Sequence, residues 1–65
     1  MNKVVCYKII ASGMPHADFR YSEAKMEALV ANYVQLGHSV ELYRFFEGQQ
    51  KAEYWKTVEK RGHRT

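Results

Sequence analysis

Between Ser22 and Gly37 the chain spaces its apolar residues for one face of a helix, and this stretch restricts the possible folds more than any other. Met26, Leu29, Val30, Tyr33, Val34 and Leu36 fall at i, i+3, i+4, i+7, i+8 and i+10, a single apolar stripe. Glu27, Ala28, Ala31, Asn32 and Gln35 fill the other side. Ser22 is suited to an N-cap, because its hydroxyl can accept from an orphan N–H of the first turn. Tyr21 and Met26 occupy the two positions of a hydrophobic staple, whereas Lys25 at N3 leaves no reciprocal capping box. Gly37 supplies the left-handed residue that ends many helices. The pattern predicts a helix from Glu23 to Leu36, and its stripe needs a second layer to cover it.

The flanking sequence offers strands for that layer. Lys3 to Ala11 is rich in β-branched and aromatic residues. Its odd positions Val5, Tyr7, Ile9 and Ala11 carry no charge and are expected to face the helix. Val4, Cys6, Lys8 and Ile10 then face away. Ser12 to His16 has turn chemistry, and Ala17 to Tyr21 alternates as a short strand returning on the first. Ser39 to Phe46 directs Val40 and Leu42 one way, and Glu41, Tyr43 and Phe45 the other. Ala52 to Glu59 offers only a narrow stripe as a helix, while its Tyr-Trp-Lys-Thr-Val run favours a strand. That strand would put Ala52, Tyr54 and Val58 on one face, Trp55 and Thr57 on the other.

The order is ββαββ, an α+β two-layer sandwich with one helix on a small antiparallel sheet; the alternative is βαββ, with the second strand an irregular loop. The expected core is Val5, Tyr7, Ile9, Phe19, Met26, Leu29, Val30, Tyr33, Val40, Leu42 and Val58. Residues 1–61 form one domain and residues 62–65 a basic C-terminal tail. A chain of 65 residues buries only ~60% of its unfolded surface, which leaves little room for an enclosed substrate pocket.

Hydrophobic residues at 46% and charged residues at 26% exclude a disordered chain. Cys6 is the single cysteine, so no internal disulfide forms, and a reducing, cytoplasmic location is expected. The first residues have too short an apolar run for a signal peptide, and no stretch approaches the ~20 apolar residues of a spanning helix.

The residues that could carry chemistry do not combine. His16, His38, His63 and Cys6 lack the spacing of a zinc site. Cys6 has Lys8 two residues on, but neither a helix N-terminus nor a positioned histidine to make it nucleophilic. The carboxylates are spread singly, and the four glycines form no phosphate-binding loop. We expect no catalytic residue, no metal and no cofactor, and hence no enzyme.

A binding surface is the remaining candidate. On the alternation above, the sheet face away from the helix gathers Lys8, Arg20, Tyr43, Phe45 and Trp55, with Lys56, Lys60 and Arg61 at its margin. Exposed apolar surface of this kind marks interaction sites, and Tyr and Trp are common hot-spot residues. The expected function is protein binding without catalysis, of inhibitor or adaptor type, with homodimerisation as a variant and Trp55 as the anchor. The alternative is nucleic-acid binding, with stacking on the rings and phosphate contacts from Lys8, Arg20, Arg44, Lys56, Lys60 and Arg61. Against it, Glu41, Glu47, Glu53 and Glu59 are mixed through the same region, the net charge is only +3, and the RNP motif is missing. The element order and size resemble those of small phage-encoded inhibitors of host enzymes. No shared motif carries the likeness and this chain departs from it in being basic; the resemblance implies an inhibitor.

Overall fold

The computed structural model describes residues 3–60. Its elements are β1 (Val4–Ala11), β2 (Asp18–Arg20), α1 (Glu23–Gln35), β3 (Val40–Phe46) and β4 (Glu53–Val58), the expected ββαββ order. The strands form one antiparallel sheet in the order β2-β1-β3-β4. β2 and β3 both run antiparallel to β1 on its two sides. The chain must therefore cross a face of the sheet between them, and α1 is that crossing. The face that α1 crosses is the covered one, and the opposite face is left open.

The helix begins and ends largely as its sequence prescribes. Ser22 has extended backbone angles, and its Oγ accepts from the Lys25 N–H at 3.2 Å. At the other end Gly37 has φ 97°. The Gly37 N–H donates to the Val34 carbonyl at 3.1 Å and the His38 N–H to the Tyr33 carbonyl at 3.0 Å, which is a Schellman stop. The rings of Tyr33 and His38 meet edge to face at 5.7 Å across it. Two expectations fail here. Tyr21 is 78% exposed and does not staple onto Met26, which is taken up by the core. Leu36 is the C-cap and stays exposed, since ten residues past Met26 it has rotated off the centre of the stripe.

The core comprises Tyr7, Ile9 and Ala11 from β1, Met26 and Val30 from α1, and Val40 and Leu42 from β3. Val4, Leu29, Tyr33, Val34, Trp55 and Val58 pack around it, partly buried. Val5 and Phe19, both expected inside, are 45% and 44% exposed. For Val5 the cause is a β-bulge. Val4 opposes Phe46 and Cys6 opposes Phe45, so Val5 has no partner and Val4 takes the place on the helix side. For Phe19 the cause is register. It opposes Lys8, while Arg20 opposes Tyr7 and Asp18 opposes Ile9, and directly opposed residues share a face. Asp18 is useful where it falls: the Tyr33 hydroxyl donates to its Oδ2 at 2.5 Å, tying the short strand to the helix.

A second bulge lies in β4. Leu42 opposes Lys56, but Tyr43 opposes Tyr54, which leaves Trp55 as the extra residue. Trp55 therefore packs on the helix side, 6.2 Å from Tyr7 between ring centroids. Tyr54 is turned to the bare face.

Candidate functional site

The sheet face opposite α1 is built by the ladder. One row of opposed residues runs through all four strands: Phe19, Lys8, Tyr43, Tyr54. Cys6 and Phe45 oppose each other on one side of it, and Ile10, Glu41 and Thr57 line up on the other. Phe19 and Phe45 lie 6.4 Å apart between centroids and tilted, while Tyr43 and Tyr54 lie 5.6 Å apart, edge to face. Such geometries are favourable for aromatic pairs. The Lys8 ammonium stands 5.7 Å from the centre of the Tyr43 ring. The Tyr43 hydroxyl donates to Glu41 Oε1 at 3.1 Å, and those of Tyr54 and Thr57 share a 2.6 Å hydrogen bond. Phe19 and Tyr54, at the two edges, are the most exposed of these rings.

The expected site divides between the two faces. Lys8, Tyr43 and Phe45 lie on the open face as expected. Arg20 and Trp55 do not. Arg20 follows Tyr7 in register, and Trp55 is displaced by the bulge. Lys56 opposes Leu42 and is also on the helix side. Lys60 is exposed beyond the end of β4, and Arg61 lies outside the described residues, as does the tail 62–65. Phe19 and Tyr54 are the members that sequence reasoning missed. Neither has a local signal: Phe19 looks like a core residue, and Tyr54 is mis-phased by an extra residue that no pattern marks.

On the helix side α1 leaves a groove of about 210 Å³ beside β4, lined by Met26, Val30, Val34, Leu42, Trp55 and Val58. The Trp55 ring has two cations on it, Arg44 at 4.6 Å and Lys56 at 4.3 Å. Arg44 also lies 5.1 Å from the Phe46 ring, and its buried Nε has no hydrogen-bond partner. These cations are held by aromatic faces.

Burial pushes the Cys6 thiol above its ordinary range, which keeps it protonated and poorly nucleophilic. Among the described residues no three of His, Cys, Asp and Glu converge to hold a metal ion, and no helix is long and apolar enough to cross a membrane. His38 is engaged structurally, its Nδ1 2.8 Å from the Ser12 carbonyl.

The molecule belongs to the α+β two-layer class, with one sheet face under the helix and the other bearing a row of rings. Comparison with protein-family models, curated proteins and solved structures finds no match for this chain.

Proposed function

We propose that this chain is a small non-catalytic protein-binding module, of inhibitor or adaptor type, whose docking surface is the open sheet face. The observation that carries the reading is the row Phe19–Lys8–Tyr43–Tyr54, which spans the sheet on the side away from α1. Contiguous apolar area left exposed is characteristic of interaction sites, and aromatic enrichment with few charges is the composition of an interface core. The buried thiol of Cys6 suits a reducing, cytoplasmic setting.

Nucleic-acid binding is the weaker reading. It needs rings and cations on one surface, yet Lys8 shares the open face with Glu41, while Arg20, Arg44 and Lys56 belong to the helix side.

The test is affinity capture from source-cell lysate, with and without nuclease, using the wild-type chain, the double variant Phe19→Ala/Tyr54→Ala and Trp55→Ala. We expect nuclease-resistant capture that the double variant loses while still folded, with a cooperative melt. Undiminished capture by the double variant would remove the open face as the site.

A further inference from the structure

We infer that the open face docks a second copy of this chain, face to face about a two-fold axis, with Lys8 of each copy against Glu41 of the other. The inference rests on the docking reading above and names its partner.

The argument begins with charge. The chain carries a net +3, so two copies repel when their basic surfaces meet. The rows of the open face, however, hold one cation and one carboxylate, Lys8 and Glu41, among Cys6, Ile10, Phe19, Tyr43, Phe45, Tyr54 and Thr57. That set is neutral. Lys8 opposes Tyr43, and Glu41 opposes Ile10 one row along; both charged groups also touch the same Tyr43 side chain, one at its ring and one at its hydroxyl. A two-fold axis lying in the interface between them makes two Lys8–Glu41 contacts at once, as an isologous interface requires. A partner selected by electrostatics would instead call for a face with a net charge to complement.

Distance removes the remaining repulsion. Sheets packed face to face lie ~10 Å apart, and Arg20, Arg44 and Lys56 are then on the outer side of each sheet. Their separation across the pair exceeds the Debye length of ~8 Å at physiological salt. Area sets the strength: central strands of eight and seven residues flanked by edge strands of three and six give a face of roughly 400 Å² per copy. The pair then buries about 800 Å², below the standard size and in the range of weak, transient contacts, so it is expected to form and dissociate with concentration.

Edge pairing through β4 fits less well, because the bulge at Trp55 interrupts that edge in the way that blunts sheet edges against strand addition.

Sedimentation equilibrium on the full chain in reducing buffer, from about 10 μM to about 1 mM, tests the inference. The mass should rise from 7.6 kDa towards twice that value. Lys8→Glu or Glu41→Lys alone should weaken association by about tenfold or more, since like charges then meet. The combined Lys8→Glu/Glu41→Lys variant should return to within about threefold of wild type, and Phe19→Ala/Tyr54→Ala should be monomeric, each variant still folded with a cooperative melt. A wild-type mass fixed at the monomer value, or association indifferent to these substitutions, overturns the second copy as partner. If the wild type is monomeric while the double alanine variant still loses capture of another protein, the docking face stands and only its occupant changes. If capture is also unaffected, both readings fall.

Discussion

At the residue scale, burial decides which side chains the fold depends on. Met26 is 2% exposed between sheet and helix, whereas Leu29 is only partly buried. Met26→Ala should therefore cost ~2–5 kcal/mol, comparable with the whole stability of ~5 kcal/mol expected for so small a domain. Urea unfolding should find it with little stability left in water, and Leu29→Ala weakened less. Ionisation of the tyrosines gives a second prediction. Hydrogen bonding to Asp18 holds the Tyr33 phenol above its ordinary value of 10.0, bonding to Glu41 does the same for Tyr43, and burial raises Tyr7. A group whose pKa is raised by folding adds stability that is complete below the unfolded value and is lost as pH climbs through the folded one. Stability should fall as pH rises past about 10. Tyr33→Phe should make that fall shallower, measurable as melting temperature against pH.

At the element scale, the helix stop and the β4 bulge set the geometry. At Gly37 an added Cβ would meet nothing within 4 Å, but φ is +97°. Gly37→Ala should thus cost ~1 kcal/mol through backbone strain alone, read as a lower urea midpoint at unchanged slope. The sequence pattern alone predicts Trp55 on the open face, as the anchor for a partner. The bulge reverses that expectation. Trp55 supports Tyr7, Arg44 and Lys56, so Trp55→Ala should lower stability by about 1–3 kcal/mol, less than a fully buried Trp, and spare docking.

At the scale of the whole molecule, one helix crossing between β2 and β3 covers one face and leaves the other bare. Phe19 and Tyr54 are 44% and 57% exposed and each makes one aromatic pair, so Phe19→Ala/Tyr54→Ala should cost about 1–3 kcal/mol and leave the chain folded. A neutral, apolar contact should also tolerate salt. Raising it from about 50 mM to about 200 mM should change docking only slightly, whereas a protein making several phosphate contacts loses orders of magnitude of affinity over that range. Titration at the two concentrations separates the readings.

The helix, its caps, the ββαββ order and the inner residues Tyr7, Ile9, Val40 and Leu42 were legible because each follows from local chemistry or from an unbroken period. Lys8, Tyr43 and Phe45 were placed correctly for the same reason. What sequence alone could not assign were Val5, Phe19, Arg20, Tyr54 and Trp55. Each lies at or beside a point where pairing, rather than pattern, decides the facing: two bulges and a three-residue strand. Strand periodicity is two, so one extra residue exchanges the faces, and only the partner strand records that it is there. The sequence determined that a sheet would have one covered side and one aromatic side; the tertiary register decided which rings form the latter.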